Sequence, residues 1–244
     1  MKKKRIRAIR FAIVALIVLV AVGVVAAVFL TNAAVKAVVQ KAGVKTLNVG
    51  VEIERVRTSL LTGSGRLYQI AVANPAGYRG PSLLTLKSVD ASAEVGSLLG
   101  DELLFHSVHL EGMEVFVEQD GLRNNLYEVI EPLRGAHKPT GRALVVDRLT
   151  IGQIVVHVSM PALTGQSQTR VVDLQVAPIT MTDLGRNERM DTKILIGKVL
   201  LAVAAGVAEQ GGDILPKETV GQITDVLDKA LDIGRILFGG KKDQ

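Results

Sequence analysis

Residues Phe11 to Leu30 run for 20 positions without a charged side chain, directly after a ten-residue head that holds six lysines and arginines and no acid. A helix of that length rises about 30 Å, the hydrocarbon thickness of a bilayer. The run is apolar on every face, whereas a surface helix of a soluble domain confines its apolar residues to one stripe. The cationic head predicts, by the positive-inside bias, a cytoplasmic N-terminus and an exported chain beyond Leu30. A cleaved signal peptide is the rival reading. Its apolar core normally spans about 7–15 residues, shorter than this run, although Ala33-Ala34 offers a cut. A retained single-pass anchor is the expectation.

The chain has 244 residues and a net charge of +5. The first ten residues supply six positive charges, so residues 11–244 net −1. The basic pI of about 9.5 therefore belongs to the head, which suits anionic headgroups. Tryptophan is absent and aromatics make up 3% of the chain. Single-strand binding needs stacking platforms along a basic groove; neither is visible, and no nucleic-acid partner is expected. The lack of cysteine excludes disulfides and thiolate zinc sites. It does not identify the compartment, because a domain of about 200 residues can build a core without staples.

After the anchor, Asn32 to Gly43 reads as a helical stem, with Val35, Val38 and Val39 on one side and Lys36 and Lys41 elsewhere. These lysines can snorkel to outer headgroups; a plain linker explains them equally. From Asn48 the pattern changes. Val49, Val51 and Ile53 alternate with Gly50, Glu52 and Glu54, as in a half-buried strand. Thr62 to Gly65 reads as a turn, Arg66 to Ala73 as a strand, and Asn74-Pro-Ala-Gly77 as a type I turn. Along Ser82 to Val95 the apolar phase slips: Leu84 and Leu86 are even-numbered, Val89, Ala91, Ala93 and Val95 odd. A bulge near Lys87-Ser88 is predicted, because otherwise the later residues would turn to solvent.

An internal repeat follows. Val108 to Val117 lies over Leu149 to Val158 without a gap, at an offset of 41 residues. Val108 meets Leu149, Leu110 meets Ile151, Met113 meets Ile154, Val115 meets Val156, and Val117 meets Val158. Each copy reads as a strand, a turn and a second alternating strand, which hints at a repeating β unit. Between the copies, Asn124 to Glu131 reads as a short helix capped by Asn and stopped by Pro132, and Arg134 to Gly141 as a polar loop. Thr169 to Ala177 is a further strand.

The C-terminal part reads as helical. Asp191 or Thr192 caps a helix to about Gln210, apolar from Ile194 to Ala208 except at Lys198. These fifteen residues rise only about 22 Å, short for a span, so a buried or interfacial helix is expected. Ile223, Val226, Leu227, Ala230, Leu231, Gly234 and Leu237 then line one face of an amphipathic helix.

No catalytic or metal site emerges. His106 and His109, three apart in a strand, are expected on opposite faces, and His137 and His157 lie elsewhere. There is no H-E-x-x-H, G-x-S-x-G or Walker-type loop. Glu52/Glu54 and Asp225/Asp228/Asp232 sit on polar faces that solvation explains, and no nucleophile has a base beside it. The expectation is a protein that is not an enzyme and carries no cofactor or metal.

Val51 to Leu126 resembles the amino-terminal part of AsmA-family proteins of the bacterial envelope. The elements stand in order after the single anchor: Val51 to Val56, Ser59-Leu-Leu-Thr-Gly63, Ile70 to Tyr78, Ser97-Leu-Leu-Gly-Asp101, Val108 to Gly112 and Asn125-Leu126. Val146 to Ile151 and Ile179 to Gly185, with an Ala/Val-rich helix after them, also fit. The resemblance implies a mostly β fold: one N-terminal transmembrane helix, a curved and mostly antiparallel sheet or half-groove with an apolar concave face, and two C-terminal packing helices. The implied plan is a cytoplasmic tail (1–10), a transmembrane helix (11–30), a stem (31–45), a β domain (46–185) and a helical annex (190–240). The plant-type late-embryogenesis-abundant β-sandwich is similar around the Asn-Pro turn, but it is shorter and ranks second.

Larger AsmA relatives form long β-grooves thought to conduct phospholipid between membranes. The resemblance thus implies a protein of the inner membrane, its bulk periplasmic, that binds or helps transfer lipid or maintains the outer membrane. Implied partners are the membrane through Phe11 to Leu30, phospholipid and other envelope proteins. The candidate lipid-facing residues are Leu104, Val108, Leu110, Val115, Val117, Leu149, Ile151, Val156 and Val158. An ordinary dry core is an equal alternative for all nine, and it belongs to the other function considered, an envelope scaffold with a closed β core and no lipid. Eight or nine strands spaced about 4.8 Å apart would give a groove about 40 Å long, too short to bridge two membranes.

Overall fold

Among the described residues, one mixed sheet of nine strands organises the fold. The computed structural model describes residues 32–120, 123–131, 139, 142–160, 170–211 and 221. The expected span at 11–30, most of the loop at 134–141 and the amphipathic helix at 223–237 lie outside these residues. Among the described residues no helix is long and apolar enough to cross a membrane.

Residues 32–47 form α1. It ends at Asn48, which takes a left-handed φ of 56° and donates its N–H to the Val44 carbonyl, a helix stop that asparagine tolerates well. The strands are β1 (Val51–Ser59), β2 (Ser64–Ala73), β3 (Ser82–Ala93), β4 (Glu102–Asp120), β5 (Arg123–Asn124), β6 (Ala143–Ile151), β7 (Ile154–Met160), β8 (Arg170–Val176) and β9 (Ile179–Leu184). A 3-10 turn, Val95–Leu99, joins β3 to β4. The other helices are α2 (Asn125–Ile130) and α3 (Thr192–Gly211). Asn124 caps α2 by accepting from the Tyr127 N–H, and Asp191 caps α3 by accepting from the Ile194 N–H at 3.0 Å, as the sequence predicts.

Strands β1 to β4 form an antiparallel meander, but β4 then pairs in parallel with both β6 and β7. The parallel register is the repeat: Val108 faces Leu149, Leu110 faces Ile151, Met113 faces Ile154, Val115 faces Val156 and Val117 faces Val158. The copies are neighbours in one ladder rather than two separate hairpins. The first copy does not turn at all, since β4 runs unbroken through Gly112. The second is collinear, β6 resuming as β7 after Gly152-Gln153, and β8 and β9 keep one continuous antiparallel register against it. Nine strands therefore make six rows, about 24 Å from first to last at ~4.8 Å spacing, which shortens the expected 40 Å. The sheet does not close: β1 bounds one edge and the β8/β9 row the other.

The curvature has a local cause. Pairing skips Glu54 and Gln69 between β1 and β2, Gln69 and Lys87 between β2 and β3, and Lys87 and Gly112 between β3 and β4. It skips Gly152-Gln153 and Ala177-Pro178 in the last two rows. Gln69 (φ 50°) and Gly112 (φ 62°) are left-handed. One crease thus crosses every row, at the Lys87 position where the sequence slips phase. On either side the inward parity changes: Val56 to Ile53, Leu67 to Ile70, Val89 to Leu86, Leu110 to Met113, Ile151 to Ile154, and Ile179 to Val176. All of these belong to one apolar cluster, so the crease keeps one face apolar while it bends the sheet.

A second crease crosses only β3, β4, β6 and β9. The register shifts at Ser92/Ala93, pairing skips His106-Ser107 and Asp147, and Asp183 takes φ 55°.

Candidate apolar site

Seven of the nine candidate residues, Leu110, Val115, Val117, Leu149, Ile151, Val156 and Val158, are buried in the main core. Their cover comes from α2, through Leu126, Val129 and Ile130, and from α3, through Leu200, Val203, Ala204 and Val207. Gly206 permits the close approach of α3, because a Cβ there would overlap the Val176 side chain. Val108 is half-buried against the same core. Leu104 is outside that cluster: beyond the second crease Leu103 and Phe105 point inward instead. Alternation alone misplaces Leu104, because the extra residue at His106 reverses the parity.

The inner face is not uniformly covered. Helix α1 lies along the β1 edge, where Lys36 Nζ donates to the Glu54 carbonyl and Asn32 Oδ1 accepts from the Thr58 N–H at 2.8 Å and the Thr58 hydroxyl at 2.7 Å. These contacts occupy backbone groups that an open edge would present to another strand. Helix α3 packs at the opposite edge, on β8 and β9. On the rows β2 to β4, on the α1-entry side of the first crease, Leu67, Val89, Leu103, Phe105 and Val108 stay half-buried. They form an apolar strip that the core touches but does not cover. The phase slip at Lys87 is the sequence signal for Val89; Leu103 and Phe105 had none, since the second bulge is invisible in hydropathy.

Near the creases the outer face carries ionisable side chains. His106 accepts or donates to Asp147 at 3.3 Å and Glu94 at 3.2 Å, and Arg186 bonds Asp147 and, at 3.2 Å, Asp183. His109 meets Thr150 Oγ1 at 2.7 Å and Glu111 at 3.0 Å. Both histidines are exposed on this same face, which corrects the expectation of opposite faces; the residue inserted at the second crease is the reason. They nevertheless serve separate partners. Among the described residues no group of histidines and acids is arranged to hold a metal. The Asp147 bond, and then the Glu94 bond, raises the His106 pKa, and the His106 bond chiefly lowers that of Asp147.

A buried polar staple lies at the far end of the sheet. Asn125 Nδ2 donates to Asn74 Oδ1 and to the Phe116 carbonyl, both at 2.7 Å, while Asn125 Oδ1 accepts from the Glu118 N–H at 2.9 Å. Glu118 in turn accepts from Asn74 and from the Arg79 and Gly80 N–H groups. The Asn74-Pro turn and the Asn125-Leu126 pair, two elements of the AsmA resemblance, thus hold each other across 51 residues. Their work here is structural. Lys198, the one charge in the apolar part of α3, is buried against Glu188 at 2.8 Å.

Comparison of the chain with protein-family models, curated proteins and solved structures finds no match in any of the three.

Proposed function

We propose that this chain is a membrane-anchored, non-enzymatic protein of the cell envelope that binds phospholipid or helps transfer it, held in the inner membrane by residues 11–30 with its bulk in the periplasm. The supporting observation is the half-buried strip of Leu67, Val89, Leu103, Phe105 and Val108, an apolar surface on an open sheet between two flanking helices. Such a surface matches an acyl chain, which asks for contact area and no hydrogen bonds. The AsmA resemblance supports the same reading.

Lipid extraction and native mass spectrometry of the full chain test it. Lipid around the anchor is common to the wild type and to a Val89→Asp/Val108→Asp variant, so the difference between them belongs to the strip. Loss of bound phospholipid in the variant is expected; equal lipid in both would sink the proposal. A closed scaffold is the second reading. It draws on the complete burial of Val115, Val156 and Val158 beneath α2 and α3.

A further inference from the structure

We propose that the two loops at the α1-entry end of the sheet insert into the outer leaflet of the membrane that carries the anchor, which turns the open apolar strip toward that leaflet. This inference rests on reading residues 11–30 as a transmembrane anchor.

The loops expose large apolar side chains where a soluble surface would hide them. In the β1–β2 turn, Leu60 is 56% and Leu61 93% exposed; in the 3-10 turn after β3, Val95 is 45% and Leu99 99% exposed. The loops are adjacent. The Ala93 N–H donates to the Gly63 carbonyl at 2.8 Å, and a Cβ on Gly63 would lie 3.3 Å from a Val95 methyl. Arg142 steadies the second loop by donating to the carbonyls of Ser97 (2.8 Å) and Leu98 (3.1 Å). One patch thus gathers apolar tips from two loops, the form that marks a contact surface rather than scattered exposure.

The position of the anchor names the occupant. Asn32 is bonded to Thr58, two residues before Leu60. Leu30 ends the apolar run, and two residues of chain reach at most about 7 Å. The bilayer surface therefore lies beside this end of the sheet. Arg142 borders the patch together with Glu94, Asp101 and Glu102, so these charges offer no cationic surplus to draw anionic headgroups. Docking here is apolar insertion, and it is indifferent to anionic lipid. The half-buried strip opens on the same side of the first crease, so docking brings it to the leaflet from which an acyl chain would come.

The chain has no cysteine, so single reporters can be placed at will. Leu61→Cys, Leu99→Cys, Val171→Cys and Val20→Cys would each carry a polarity-sensitive fluorophore on the full chain, reconstituted in phosphatidylcholine vesicles with and without a doxyl-labelled phosphatidylcholine. Leu61, Leu99 and Val171 are all exposed, so labelling leaves the fold intact. The expected result is a blue-shifted, lipid-quenched signal at 61 and 99, unchanged by added phosphatidylglycerol, and an aqueous signal at 171, which lies beyond the first crease. Quenching at 20 with aqueous signals at 61 and 99 would overturn the docking while the anchor reading stands. An unquenched signal at 20 would remove the anchor reading and the docking with it. Neither outcome touches the lipid-extraction test, so failure of the strip is read separately.

Discussion

Two parts of the same apolar face meet different fates. Beyond the first crease, Met113, Val115 and Val117 of β4 and Ile154, Val156 and Val158 of β7 face one another across a parallel ladder and lie under α2 and α3. On the near side, Val89 and Val108 sit in equally regular strands but stay half-buried. Composition does not separate them, since both are valine-rich strands with the same alternation. Placement of the helices does. The short link between β5 and α2 and the asparagine staple commit α2 to the far end, α3 commits to the β8/β9 edge, and α1 to the β1 edge. Among the described residues no helix covers the rows left between them on the near side.

The comparison breaks most visibly under a buried charge. Val156→Asp places a carboxylate where no solvent reaches, and a loss of about 4 kcal/mol or more is expected. Val89→Asp on the open strip should cost less than about 1 kcal/mol, because its carboxylate can reach water. Urea unfolding of both full-length variants in detergent micelles measures the difference. Equal losses would mean that the strip is closed core and would end the lipid reading.

The staple that seats α2 comes next. Asn125→Ala leaves the Glu118 N–H, the Phe116 carbonyl and Asn74 Oδ1 without their partner. Stranded buried groups make the expected loss about 2–4 kcal/mol. Hydrogen exchange should show α2 opening while β1 to β3 stay protected. Uniform loss of protection would mean that the sealed end is not held by this network.

The crease offers a finer test. Gly112 is left-handed, and a Cβ there would lie 2.8 Å from the Lys87 Cβ. Gly112→Ala should cost about 1–2 kcal/mol for the left-handed backbone alone. Gly152, on the same crease, has only the carboxylate end of Glu111 in the way. That side chain can swing aside, so Gly152→Ala should cost less than about 1 kcal/mol. Thermal midpoints of the pair rank them; the reverse order would mean that the bend depends on β6/β7 rather than on β4.

Much of this arrangement is legible in the residues, but not its meaning. The parity slip at Lys87 is visible because Leu84 and Leu86 cannot share a face with Val89 and Ala91 in an unbroken strand. That every other row slips beside it is hidden, since Gln69 or Gly152 carries no such mark alone. The 41-residue match of Val108 to Val117 with Leu149 to Val158 is visible too. Similarity cannot say whether two copies are separate units or neighbours, and here they are neighbours. Leu104 was misplaced because the insertion at His106 changes geometry without changing hydropathy. Which rows of the apolar face are sealed depends on where helices land, a tertiary matter that strand alternation does not encode.

The smallest expected effect lies on the outer face at the second crease. His106 has its pKa raised, first by its bond to Asp147 and then by Glu94, and Asp147 has its pKa lowered, first by His106. A raised histidine contributes stability below its ordinary value of 6.5 and loses it as pH climbs through the raised value. A lowered aspartate contributes above its ordinary 3.8 and loses it as pH falls through the depressed value. The pair is therefore worth most between those two ordinary values and fades on either side. On the alkaline side Asp147 keeps Arg186, so only the histidine's share is lost. A His106→Gln variant should melt slightly below wild type on the acid side of 6.5, with the gap closing as pH climbs through the raised histidine value and shrinking in high salt, because both groups are solvent-screened. A gap that stays constant with pH would mean that His106 contributes by shape at the bulge and not by charge, and the second crease would then stand on its backbone alone.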